Sequence, residues 1–600
     1  MRIKIFLTIG AVKFSLIFLI ILIFRSALWA QTDSLALSEE YMQQADQIYS
    51  QQKEAIEIAK ELYIQAANLD TTNIKANWMA GKLYLETINK DQAVEYLLRV
   101  KRQKPRYRFD LNYHIGRAYH YGLDFDKALE YYNQYKKKAL GDRSYRGRDK
   151  VPPSKVNRRI LECNNGKDII TRPAQYSIEA LGEEINSPWP DYAPVLNKKG
   201  DVMIFTSRRQ EENSSPDVDK DNFYFEDIFI SRKVGGKWTP AKNIGPPINT
   251  RYHDSNIALS ADGTRLYLYK DENRGDIYFS DFDGTHWSKP RYLTNKINSS
   301  VYSENSVTET ASSDVIFYTS DRPGGYGGID IYMCIKDKKG NWYKSKSLGP
   351  IINTKYDEDS PFLAYDGKTL YFSSSGHKGY GGYDIFRSIY DSLKGEWSEP
   401  ENLGYPVNTP DDEIFFHAST DQKTGYFASV REGGIGFTDI FMVKYHGDKQ
   451  HTAAELIAKA KSEKERQPGI EPVVEELGEG QLVFEDFELK LMGHTHRIYF
   501  NTDRSSIKDQ HQSELDSIVQ LLNKYDVLNI DIAGYASKDG NPRYNLQLSQ
   551  KRALIVLDYF IEKGINEDRI VARGYGSITG DEGDPEEHRR AEVKIFSTRK

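Results

Sequence analysis

Only two of the 600 residues are cysteine. They stand far apart, at Cys163 and Cys334, and neither belongs to a CxxC pair. This excludes a disulfide-stapled fold and a cysteine-ligated zinc site, so both thiols are expected to be free and packed. Charge of one sign is also lacking: 81 basic residues stand against 87 acidic ones, a formal charge of -6, which leaves no nucleic-acid footprint. Beyond the first 24 residues, no apolar run approaches the ~20 residues that span a bilayer. G-x-S-x-G and H-E-x-x-H are both absent, so the chain offers neither a nucleophile elbow nor a zincin helix. It reads as a non-enzyme without cofactor or metal, and a cell-wall hydrolase is the weakest of the functional readings.

What is present divides into segments. A chain of this length exceeds a single core and implies three or four domains. Arg2, Lys4 and Lys13 precede an apolar run from Phe14 to Phe24, and Ala30-Gln31 offers a cleavage point. Residues 1–30 therefore read as a secretory signal peptide, with the mature chain starting at Gln31. An uncleaved anchor from Phe6 to Phe24 is the alternative. No cysteine follows the run, so no lipid anchor is expected.

Residues 31–166 carry a helical repeat. Gly81, Tyr84, Ala93 and Leu97 recur as Gly116, Tyr119, Ala128 and Tyr132, each 35 positions on. Ala59, Tyr63 and Ala66 precede Ala93, Leu97 and Val100 by 34. Small residues at fixed places let paired helices approach. The pattern resembles the tetratricopeptide repeat, which implies an α-helical solenoid with a protein-docking groove. A spacer, or a cap packed on the next domain, is the alternative.

Residues 167–446 change period. Ile185-Asn186, Ile248-Asn249, Ile297-Asn298, Ile352-Asn353 and Val407-Asn408 recur at intervals of 63, 49, 55 and 55. Asp-Ile-aromatic follows five times, at Asp227, Asp276, Asp330, Asp384 and Asp439, and Trp238, Trp287, Trp342 and Trp397 follow four of these. Short strands with one aromatic per repeat imply an all-β propeller, and the details resemble the PD40, or WD40-like, family. Five blades are expected, or six if the strand from Tyr176 to Leu181 starts its own. The repeated Asp is expected to cap turns; a ring of five ligand-binding carboxylates is the alternative. Asp217, Asp219 and Asp221 alternate as in a calcium loop, but Asn222 and Ile228 break that pattern, leaving an exposed insertion. Residues 447–485 read as a charged linker, helical from Ala453 to Arg466 and ended by Pro468 and Pro472.

Residues 486–600 hold the most specific wording. Leu528, Ile530 and Ile532 alternate with polar residues into Gly534-Tyr535-Ala536-Ser537-Lys538-Asp539-Gly540. Gly534 and Gly540 are expected to bracket a turn and Asn545 to cap the next helix, which carries Leu548, Arg552, Val556 and Phe560. The block resembles the OmpA-like peptidoglycan-binding domain, an α+β fold of βαβαββ type. In that family an Asp and an Arg grip the diamino acid of the peptidoglycan stem peptide. The Arg matches Arg552; Ser537 stands in place of the Asp, and Tyr535 in place of a His. Asp539 offers a carboxylate from the same loop, and Arg589, with Arg590, stands where the family has its paired arginines. The resemblance thus implies a peptidoglycan site of Ser537, Asp539, Asn545, Arg552 and Arg589. The order of modules is similar to that of envelope proteins associated with type IX secretion. Together these imply a periplasmic scaffold, associated with the outer membrane and cell wall, that binds peptidoglycan and envelope or secretion-machinery proteins. A propeller that binds a glycan or peptide is the second reading.

Overall fold

The computed structural model describes residues 34–50, 56–172, 175–219, 223–447, 457, 495–500, 507–508, 511–525, 528–537, 542–566, 569–577 and 589–597. The signal-peptide reading, Asp221 and nearly all of the 447–485 linker lie outside them. The chain forms two compact units, Met1–Glu463 and Lys464–Lys600.

The first unit opens with helices. These are α1 (34–50), α2 (Ile56–Leu69), α3 (Ile74–Tyr84), α4 (Ala93–Gln103), α5 (Leu111–Tyr121), α6 (Phe125–Gly141) and α7 (Pro153–Ile169). From α2 onward each packs on the next. Asn73 caps α3 by accepting the Ala76 N–H, and Asp124 caps α6 through Lys127. The repeated glycines have a steric cause. A Cβ on Gly81 would stand 2.6 Å from the Leu97 side chain, and one on Gly116 would stand 2.7 Å from Tyr132. Leu97 and Tyr132 are fully buried, so at both places the large residue of one helix fills the space left by a glycine on its neighbour.

After α7 the chain forms five antiparallel sheets. Their inner strands are Asp191–Leu196, Ser255–Leu259, Val307–Glu309, Glu358–Leu363 and Glu413–Ala418. Each inner strand touches the next, and the last touches the first. A narrow central cavity is lined by all five. The strand Tyr176–Ala180 does not start a sheet of its own. It pairs antiparallel with Asp439–Tyr445, so residues from both ends of this region complete one sheet.

The Ile-Asn repeat makes one interaction five times. Each Asn side-chain oxygen accepts the N–H of the Ile in an Asp-Ile-aromatic motif, and its amide donates to the carbonyl of that same Ile. The pairs are Asn249 with Ile228, Asn298 with Ile277, Asn353 with Ile331, Asn408 with Ile385 and Asn186 with Ile440, all at 2.8–3.0 Å. The Ile or Val before each Asn is buried to within 1 %. Trp238 packs on Tyr426 and Trp397 on Phe317, each reaching a neighbouring sheet.

The repeated Asp caps a loop. Asp330 accepts the N–H groups of Tyr326 and Gly327, Asp384 those of Tyr380 and Gly381, Asp439 that of Gly436 and Asp227 that of Ser214. A second buried acid heads each inner strand. Asp191 pairs with Arg209, Asp254 with Lys270, Glu304 with Arg322 and Glu413 with Arg431. Glu358, equally buried, has no cationic partner among the described residues; Thr354 and Ser374 donate to it instead.

The helices are not a detached spacer. His120 Nε2 meets the Tyr380 carbonyl at 2.8 Å, and Asn165 donates to the Gly379 carbonyl at 2.9 Å. Phe125 meets the fully buried Tyr380 ring edge-on. Arg158 donates to the Ser375 carbonyl, and Lys90 pairs with Asp411. Cys163 and Cys334 are both unpaired and buried.

Burial pushes the carboxyl of Asp439 up to about 7, with Asp191 adding to the shift, and that of Asp227 up to about 6. A carboxyl whose folded value is raised favours the native state while it is protonated. That contribution is complete below the ordinary value of 3.8 and is lost as pH rises through the folded value. Thermal melting of the first unit is therefore expected at a lower temperature at pH 8 than at pH 5. Asp439→Asn, whose amide oxygen can still accept the Gly436 N–H, should reduce that slope, as calorimetry at the two pH values would show.

Candidate functional site

The second unit builds its site on a four-stranded sheet. The strands lie in the order His496–Tyr499, Arg590–Ser597, Leu528–Ala536, Ile570–Ser577. The first two pairings are antiparallel and the last is parallel. Helices α8 (Gln512–Lys524) and α9 (Pro542–Glu562) complete a βαβαββ order. Leu528–Ala536 alternates buried and half-buried residues along its whole length, as a strand with one covered face requires. Ile518, Leu521 and Leu522 of α8 and Val556 and Phe560 of α9 share one core with Ile530, Ile532 and Val593.

Two glycines set how closely α9 approaches the sheet. A Cβ on Gly534 would lie 1.9 Å from the Ser549 carbonyl oxygen, and one on Gly574 would lie 2.2 Å from the Gln550 nitrogen. Gly534 thus serves helix–strand contact rather than a turn with positive φ, correcting the expectation from sequence. The Gln550 side chain accepts the Gly574 N–H at 2.5 Å, which locks the same approach.

Asn545 is not the helix cap. α9 begins at Pro542, whose fixed φ suits a first helical turn. Asn545 lies inside that turn, where its amide donates to the Ser537 carbonyl at 2.8 Å. Seven residues on, Arg552 donates to the Tyr535 carbonyl at 2.8 Å, and its guanidinium carbon lies 5.3 Å from the Phe500 ring centre. Two side chains of α9 therefore hold the strand end at alternate carbonyls, and Ser537, Asn545 and Arg552 come together as expected. Arg552 is the largest fully buried side chain among the described residues. A buried guanidinium over an aromatic ring, with a carbonyl on one nitrogen, is a fixed positive charge at the strand end by Tyr535.

Arg589 is half-buried at the start of the last strand, and its carbonyl accepts the Phe500 N–H at 2.7 Å. Asp539 lies outside the described residues. Sequence reasoning gave no role to Arg590, whose guanidinium carbon stands 5.4 Å from the Tyr535 ring centre and whose Nε donates to Glu592 at 2.8 Å. Tyr535 is therefore flanked by Arg552 on its carbonyl and Arg590 on its ring. The signal was the Arg589-Arg590 pair itself, but only the strand register decides which arginine faces the loop.

The profile of the OmpA family matches residues 499–594. Outer membrane protein P5 of Haemophilus influenzae is 34% identical over 103 residues, 17% of this chain and 29% of that protein. Outer membrane protein A of Escherichia coli O157:H7 is 35% identical over 105 residues, 17% of this chain and 30% of that one. Among solved structures, the peptidoglycan-associated lipoprotein of Burkholderia pseudomallei is 27% identical, covering 18% of this chain and 99% of that one, with a TM-score of 0.17. This chain spans less than a third of the length of the two curated outer-membrane relatives.

Arg552→Ala removes a buried charged donor to the Tyr535 carbonyl, a loss that costs about 1–3 kcal/mol. Hydrogen exchange across α9 of the full chain should accelerate accordingly. Arg552→Lys, which can still reach one carbonyl, should accelerate it less. The carboxy-terminal domain is OmpA-like.

Proposed function

We propose that this protein is a non-enzymatic scaffold of the cell envelope that binds peptidoglycan through residues 486–600 and holds envelope proteins through the unit before them. The observation that carries the reading is the OmpA family match over 499–594, together with the clamp of Asn545 and Arg552 on the loop that begins at Ser537. In this reading Arg552 supplies the positive field for a stem-peptide carboxylate, and Arg589 stands at the rim. Asp539, or the Ser537 hydroxyl, meets the ammonium.

We read the five sheets as blades of one propeller and the helices as tetratricopeptide-type repeats. The cyclic contact of the five inner strands and the 35-residue Gly–aromatic spacing support this. Because α5, α6 and α7 already engage the Tyr380 region, the protein-docking surface is the part of the helical array turned away from it. Secretion-machinery components are the partners that the order of modules favours. Signal-peptide export would place the chain in the periplasm, next to both the wall and the outer membrane.

Sedimentation of the purified full chain with sacculi tests the wall-binding reading. Wild type should co-sediment, and a chain ending at Glu463 should not. Arg552→Ala should bind roughly thirtyfold or more weakly, since losing one side of a buried charged contact costs about 2–5 kcal/mol. Ser537→Asp should bind more tightly to sacculi whose stems carry a free ammonium. Wild type remaining in the supernatant would leave the domain with the family fold alone.

A further inference from the structure

A cavity of about 700 Å³ opens between the first and last of the five sheets. That size lies within the range of small-ligand sites, about 300–1,000 Å³. The inner strand Glu413–Ala418 begins just after Asp411, which pairs with Lys90, and ends at this cavity. The cavity therefore lies at the edge of the sheets opposite the helical array and is not obstructed by it.

The chemistry of its walls is uneven. Lys198, Lys199 and Lys233 line it, against one acid, Asp421. Asp421 is occupied in its own turn, accepting from the Ser419 hydroxyl at 2.7 Å and the Lys423 N–H at 3.0 Å. Lys199 is paired with Asp201. Lys198 and Lys233 have no carboxylate partner among the described residues. Lys233 is half-buried; its ammonium lies 4.7 Å from the Trp238 ring centre and 3.4 Å from the Tyr426 hydroxyl. An ammonium withdrawn from water beside only an indole and a phenol favours an anion brought by a ligand.

The remaining lining mixes hydroxyls and an amide with aromatic rings. Asn197, Ser419 and Thr424 join Thr420, whose hydroxyl closes the rim on the Lys198 carbonyl at 2.6 Å. At the floor the buried His417 ring stacks against Phe362, and its Nε2 lies 3.4 Å from the Tyr365 hydroxyl. Burial pushes that imidazole down to about 3, so at neutral pH it is an uncharged hydrogen-bonding wall. Leu196 and Ala418 are aliphatic, and Tyr365, His417 and Tyr426 add aromatic surface against which a sugar ring can lie.

We propose that this cavity is a binding site for an acidic saccharide of about two rings, whose carboxylate is held by Lys233 and Lys198 and whose hydroxyls meet the polar walls. The proposal does not depend on wall binding by the terminal domain, which lies in the other unit.

The test is calorimetric titration of the full chain at low ionic strength. The probes are the unsulfated disaccharide of glucuronic acid and N-acetylglucosamine, neutral N,N′-diacetylchitobiose and triglutamate. The uronate disaccharide should bind, with affinity falling as salt rises. Chitobiose should bind at least tenfold more weakly. Lys233→Met should weaken the uronate at least tenfold, and Lys198→Ala, on the exposed rim, severalfold, with melting temperatures unchanged in Lys198→Ala. The proposal is overturned by no detectable uronate binding, by equal affinity for chitobiose, by full affinity in both lysine variants, or by tighter binding of triglutamate, which would make the cavity an acidic-peptide site.

Discussion

The first unit depends on satisfying buried backbone where each sheet gives way to the next. In three of the five sheets the outermost strand is short: Lys242–Asn243, Arg291–Tyr292 and Glu401–Asn402 contribute two residues each. Beyond them the N–H groups of Ile228, Ile277 and Ile385 would be left without an acceptor in a fully buried position, while their carbonyls also accept from Ile244, Leu293 and Leu403. A lone unpaired group of this kind costs about 1–3 kcal/mol. The side-chain amide of Asn offers an acceptor and a donor in one plane, as a peptide unit does. One Asn per sheet therefore gives the buried N–H its acceptor and the carbonyl a second donor, and the buried Ile or Val before it anchors it. At Asn186 and Ile440 the same clamp joins residues 254 apart in sequence, beside the strand pair Tyr176–Ala180 and Asp439–Tyr445.

A second constraint follows from the buried Asp beside each clamp. To give their N–H groups to that carboxylate, the preceding loops must fold tightly over it. A Cβ on Gly325 or Gly379 would lie 1.9 Å from the Asp330 or Asp384 carboxylate oxygen. The loops Gly324–Gly328 and Lys378–Gly382 therefore carry glycines on both sides of one tyrosine. At Tyr380 that tyrosine is buried under α5 and α6, whereas Tyr326 is 51% exposed. The same loop that satisfies a carboxylate thus also gives the helical array its attachment to the sheets.

Local, repeated features were legible in the sequence. Ile-Asn and Asp-Ile-aromatic recur because four of the five clamps form within about 25 residues, and the Gly81 and Gly116 spacing reports one helix contact twice. The order of elements in the terminal domain was legible because Leu528, Ile530 and Ile532 alternate and α9 keeps helical spacing. What the sequence did not yield depends on contacts between distant segments. Gly534 looked like a turn residue because its partner, Ser549, is visible only once α9 lies on the sheet. Asn545 looked like a cap because a cap and a donor to a preceding carbonyl use the same residue type. The full burial of Arg552 was not legible because nothing local says that Phe500 covers it. The docking of His120 and Asn165 on the Tyr380 loop spans more than 200 residues, although the paired glycines at 324–328 and 378–382 were there to be read.

The account's central claim is that residues from both ends of the sheet region are locked into one body that also carries the helices. Hydrogen-exchange mass spectrometry of the full chain tests it most directly. Peptides covering 176–186 and 438–445 should exchange together and as slowly as 227–234, and the 378–384 loop should share that protection. Fast exchange of 176–186 while 227–234 stays protected would show an open sheet region with a loosely attached first strand, and would contradict the account.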